Sequence, residues 1–151
     1  MSRSNNIRSI LTEQVSGYRT LLDILQRERA CLLQFDPHAV EALAKEKDTI
    51  VMKLKLLEEE RIRLVRAFTE EHGIVDKAVF SKLAESAGDD SFQRIRLQLI
   101  SLLQSIMELN GFNRVLIERS TAVVKNALNF LGSIGVKVQT NNYGAYFSRK
   151  A

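Results

Sequence analysis

FDPHAVEAL, residues 35–43, decides how this chain folds. Asp36 is a favoured N-cap, because its carboxylate can accept from the free N–H groups that open a helix. Pro37 suits the first helical position, where its missing N–H would have no partner anyway. One helix therefore stops just before this stretch, and another starts inside it. Helices joined by so short a turn pack antiparallel.

Both sides of the turn carry the helical period. Upstream, Ile7, Leu11, Tyr18, Leu21, Leu25, Leu32 and Phe35 recur by threes, fours and sevens, which predicts a helix over 5–34. Downstream, Val40, Leu43, Ile50, Leu54, Leu57, Leu64 and Phe68 predict a second over 37–72, with Gly73 as its left-handed cap. Polar residues interrupt both stripes: Gln14 and Glu28 in the first, Lys47 and Arg61 in the second. Reflection about position 36 places Glu28 beside the Lys45–Lys47 turn, so an ion pair is expected across the seam. Charges there cost stability and can fix register.

Residues 76–86 predict a short connecting helix whose Val79, Phe80 and Leu83 cover one end of the bundle. Gly88 breaks it, and Asp89 or Asp90 caps a last helix over 91–134. The stripe of that helix reads Phe92, Ile95, Leu99, Leu102, Ile106, Leu109, Asn113, Leu116, Ser120, Val123, Ala127 and Leu131. Such a length is coiled-coil-like. In its middle lies NGFNRVLIERS, residues 110–120. Asn110 and Asn113 stand one turn apart and are expected to hydrogen-bond across the seam and set register. Gly111 costs about 1 kcal/mol in a helix interior, so it suggests a close backbone approach or a weak point.

The expected fold is all-α. A long antiparallel helical hairpin and a longer C-terminal helix form an elongated, coiled-coil-like bundle over 1–135. A short helix connects them, and a flexible, non-helical, basic and aromatic tail follows over 136–151. At 1.5 Å per residue the last helix is roughly 66 Å long, against about 50 Å for a hairpin arm. It should overhang. Leu116, Ile117, Val123, Val124, Leu128, Phe130 and Leu131 would then lack partners within one chain, and a protein seldom leaves such a patch open without a use.

Composition narrows the function. The chain has 22 Lys and Arg against 18 Asp and Glu. Lys137, Arg149 and Lys150 belong to a tail without acids, so the helical body is nearly neutral. A nucleic-acid binder concentrates positive charge on a folded face, and none is evident here. The first residues hold no apolar core of a signal peptide, and no stretch reads as a membrane span. With one cysteine, Cys31, no internal disulfide can form, and a cytoplasmic location is expected.

Catalytic patterns are absent. Thr69-Glu70-Glu71-His72 fails as a Glu-x-x-His metal pair, because Thr stands at its first position. His72 reads instead as a helix-end residue favoured by the macrodipole. Neither histidine has the mid-helix setting of a phosphotransfer site. Cys31 has no His or Cys partner and reads as a buried, inert thiol. No glycine-rich phosphate loop occurs. The chain reads as neither an enzyme nor a cofactor protein.

The order of these residues resembles a known family. Leu25-x-x-Glu28-x-x-x-Leu32-x-x-x-Asp36 closes the first helix. Val40-x-x-Leu43-x-x-x-Lys47-x-x-Ile50 and Leu54-x-x-Leu57-x-x-x-Arg61 follow, then Asn110-x-x-Asn113-x-x-Leu116-Ile117, and finally Tyr143-Gly144. Across residues 8–146 the chain resembles the FlgN family of flagellar export chaperones. It departs after Tyr143-Gly144, where Ala145-Tyr146-Phe147 stand in place of a second glycine. The resemblance implies a cytosolic type III export chaperone without ATPase activity. Such a chaperone binds the hook-filament junction proteins FlgK and FlgL through their C-terminal helices. It prevents their premature assembly and delivers them to the flagellar export apparatus, using its C-terminal region.

The overhanging row and the resemblance both point to a candidate surface toward the C-terminus. Asn113, Leu116, Ile117, Val123, Val124, Leu128 and Leu131 are expected to accept a client helix, with Tyr143, Tyr146 and Phe147 closing over it. Glu28, Lys47, Arg61 and Asn110 are expected to hold the seam. In the free protein the tail or a second copy, as a homodimer, is expected to cover the groove. The alternative is a structural coiled-coil scaffold or assembly subunit that uses the overhang for self-association.

Overall fold

Ser2 opens the first helix. Its Oγ accepts from the Asn5 N–H at 3.3 Å, so α1 spans Arg3–Leu33 and starts before position 5. The computed structural model describes residues 2–132. All regular structure among them is helical: α2 spans Pro37–His72, a 3-10 turn Asp76–Ala78, α3 Val79–Ala87 and α4 Ser91–Gly132. Positions 133–134, expected to end the last helix, and the tail over 136–151 lie outside the described residues.

The caps explain the breaks. Asp36 Oδ1 accepts from the Ala39 N–H at 3.2 Å and opens α2 behind Pro37. After α2, Gly73 takes φ +59, and the Ile74 N–H reaches back to Thr69 O at 3.2 Å. That is a Schellman motif with glycine in its usual place. The same motif ends α1, where Phe35 sits at φ 52. Its N–H reaches Leu32 O at 3.3 Å, and the Asp36 N–H reaches Cys31 O at 3.1 Å. The expected 76–86 helix is divided into the 3-10 turn and α3. The N-cap residues Val75 and Ala78 make no side-chain cap hydrogen bond, and the first turn closes with an i→i+3 bond, Ala78 N–H to Val75 O at 2.9 Å.

The helices form two compact units. One joins the described residues up to Leu22 to Asp48–Ile106. Its core brings Ile7 and Leu11 from α1 against Leu64 and Phe68 from α2, Val79 and Leu83 from α3, and Phe92 from α4. Arg8 holds the start of α4 by donating to Ser91 Oγ at 3.2 Å and lying over the Phe92 ring. Gly17 lets α1 and α2 approach: a Cβ there would stand 2.7 Å from Leu54 Cδ2. Gly111, by contrast, has nothing within 4 Å of a built Cβ, so no close approach requires it.

The other unit joins Asp23–Lys47 to the described residues from Met107 onward. Ile24, Leu25 and Leu32 are buried there with Val40, Leu43, Ala44 and Leu109. Cys31, expected to be buried, is half-buried. Its backbone carbonyl lies in the Schellman turn, near the exposed end of the helix.

Candidate functional site

Three polar side chains share the interior of the second unit. Glu28, Lys47 and Asn113 are 4%, 7% and 1% exposed. Their positions follow from the helical stripes, because each replaces an apolar residue in its row. Lys47 Nζ lies 3.6 Å from Glu28 Oε1, an ion pair longer than a hydrogen bond. Asn113 Nδ2 donates to the same Oε1 at 2.9 Å and to Leu25 O at 2.9 Å. Asn113 Oδ1 is buried with no partner among the described residues. The carboxylate is thus held from both sides, by α2 and by α4.

This geometry moves Asn113 out of the partner-facing set. Its amide is turned inward and already engaged, so it positions α4. Asn110 is half-buried and makes no side-chain hydrogen bond among the described residues. Arg61, grouped with the seam residues, belongs to the other unit and pairs with Glu58 on its own helix, Nε to Oε2 at 2.9 Å. His72 donates from Nδ1 to Phe68 O at 3.0 Å and packs on the Phe68 ring. The described residues hold no group of three or more His, Cys, Asp or Glu placed for a metal.

Beyond the polar cluster the stripe of α4 loses its cover. Leu109 and Asn113 are buried; Leu116, Ile117 and Ser120 are half-buried. Val123, Ala127 and Leu131 continue the same row and are exposed. Every residue over 121–127 is exposed, as are Phe130 at 72% and Val124 beside the row; Leu128 is half-buried. Tyr143, Tyr146 and Phe147 lie outside the described residues. Met107, Phe112 and Val115 are also exposed on α4, with Arg29 stacked over the Phe112 ring at 5.5 Å. They stand off the apolar stripe, so its period does not mark them.

A family match covers nearly the whole length of the chain. The family model described as FlgN protein matches residues 1–148. The chain belongs to the FlgN family. FlgN proteins are flagellar export chaperones, so the general role of this FlgN-family chain is chaperone action in flagellar assembly, in a family that is not one of enzymes. No curated protein and no solved structure matches the chain. Among the described residues, no helix is long and apolar enough to cross a membrane.

Proposed function

We propose that this FlgN-family chain is a cytoplasmic chaperone of type III flagellar export for the hook-filament junction proteins FlgK and FlgL. It binds their C-terminal helices, prevents premature assembly and aids delivery to the export apparatus. One observation carries the reading: the apolar row of α4 continues through Val123 and Leu131 after its cover ends near Ser120. An amphipathic helix recognises such a row through residues spaced by threes and fours. Leu116, Ile117, Val123, Val124, Leu128 and Leu131 form the contact, and Tyr143, Tyr146 and Phe147 close over the client.

The test is a pull-down against FlgK and FlgL, full-length and lacking their C-terminal helices, with light scattering of any complex. A stoichiometric complex is expected, lost on removing the client helix and weakened about tenfold or more, roughly 1.4 kcal/mol, by Val123→Asp. Removal of residues after 134 should weaken it too. The same exposed row suits self-association by a structural scaffold subunit. No binding to either client, with a stable homo-oligomer that Val123→Asp dissolves, would establish that second reading instead.

A further inference from the structure

A separate apolar surface lies in the unit formed by the described residues up to Leu22 and Asp48–Ile106. It is an open cavity of about 730 Å³. Buried Ile7, Leu11 and Leu83 line it, together with Ile62, Ile100 and Leu103, which are exposed. None of these belongs to the α4 row beyond Ser120.

Its charged groups divide into two sets. Glu58, Arg61 and Gln14 satisfy one another: the Arg61 guanidinium donates to the Glu58 carboxylate, and Gln14 Nε2 donates to Glu58 Oε2 at 2.8 Å. Burial, and then the Glu58 charge, pushes the Tyr18 phenol up, so its hydroxyl keeps its proton. Arg66 on α2 and Arg96 on α4 also line the cavity. Neither side chain has an ion pair or hydrogen bond among the described residues. Asp76 is the remaining carboxylate of the lining, so the unpaired charge is net positive.

We propose that this cavity is a docking groove for an acidic amphipathic helix of another protein. The apolar stripe of that helix lies on Ile62, Ile100 and Leu103, and carboxylates along its edges pair with Arg66 and Arg96. Arginine suits this role, because its planar fork matches a carboxylate and is weakly hydrated. Along α1 the lining runs from Ile7 to Tyr18, about 16 Å or three helical turns, which fits three or four successive anchor residues.

Charge argues against the chain filling its own groove. Its tail carries Lys137, Arg149 and Lys150 and no acid. In a second copy, the helix face that carries the exposed Val51, Met52 and Leu56 holds Asp48 and Glu59 beside Lys45 and Lys55, and Val124 is followed by Lys125. None of these surfaces brings the net negative charge that would complement Arg66 and Arg96.

The test measures fluorescence anisotropy of a dye-labelled synthetic helix, with a leucine stripe flanked by glutamates, against the full chain. A control peptide carries lysines in place of the glutamates. The acidic peptide should bind saturably and about tenfold or more tighter than the control. Arg66→Glu with Arg96→Glu should weaken it at least as much, the milder Arg66→Gln with Arg96→Gln in the same direction, and Val123→Asp should leave it unchanged. Both arginines are exposed, and circular dichroism checks that the variants fold. No binding of the acidic peptide below about 100 μM overturns the proposal, as does equal binding of the control or indifference to both arginine pairs. Loss of binding in Val123→Asp would assign the peptide to the α4 row instead. A homodimer that the arginine changes dissolve would assign the groove to a second copy.

Discussion

Asn113 Nδ2 donates to Glu28 Oε1 at 2.9 Å, joining α4 to α1 across a separation of 85 residues. Lys47 Nζ stands 3.6 Å from the same oxygen. A buried carboxylate held by one ammonium and one amide is stable only while both remain, because removing a partner leaves charge without compensation. Lys47→Met should cost about 3–5 kcal/mol in urea unfolding. Asn113→Ala should cost about 2 kcal/mol, since it removes a hydrogen bond to a charged group. In Glu28→Gln/Lys47→Met, much of the first loss should be recovered. A double variant as unstable as Lys47→Met alone would show that the charge pair is not the cause.

The end of α1 stores backbone strain. Phe35 occupies the left-handed position of a Schellman motif at φ 52, where a side chain crowds the backbone, and it is 57% exposed. Phe35→Gly should raise stability by up to about 1 kcal/mol, the left-handed penalty less the extra freedom of glycine in the unfolded chain. Phe35→Ala should bring no such gain, because it keeps a Cβ at the same φ. Thermal melts of the three proteins decide it.

Two helical glycines should respond oppositely to alanine. At Gly111 nothing lies within 4 Å of a built Cβ, so Gly111→Ala should stabilise by about 0.5–1 kcal/mol through helix propensity. At Gly17 the new methyl would stand 2.7 Å from Leu54 Cδ2. Overpacking there costs about 1–3 kcal/mol, which offsets or exceeds the propensity gain. Gly17→Val should be clearly worse than Gly17→Ala. Equal gains in stability from alanine at both sites would contradict the observed close approach.

Acid should weaken the fold through identifiable carboxylates. The Arg61 guanidinium, and then the Gln14 amide, hold Glu58 below the usual carboxylate range against partial burial. The Ser91 hydroxyl, and then the Ser91 N–H, do the same for Asp89. Each folded value is depressed, so each contribution is complete above the unfolded values, 4.5 and 3.8. Each is lost as pH falls through the lower folded value. Melting temperatures from pH 7 to pH 3 should therefore fall less for Glu58→Gln than for the parent chain, although the variant starts lower. Parallel curves would remove Glu58 from the account.

The hairpin was legible in FDPHAVEAL, because a cap, a proline and the period on either side act within a few residues. Gly73 as a left-handed cap was legible for the same reason. The pairing of Glu28 with Lys47 could be reached by counting outward from the turn, since a tight antiparallel connection fixes which positions meet. The inward face of Asn113 could not be reached in this way. Asparagine at a stripe position suits a seam or a partner equally well, and only the rotation of α4 separates them.

The amino-acid sequence by itself determined which segments are helical, roughly where they stop, and which row of each helix is apolar. These follow from hydrogen bonds closed over four residues and from caps. Tertiary structure alone decided that Gly17 rather than Gly111 is needed for packing, and that Asn113 serves Glu28. It also decided that the row of α4 loses its cover near Ser120 and that Arg66 and Arg96 line one cavity. Each of these depends on the rotation and register of helices whose contacting residues lie far apart in the chain. No local period specifies either.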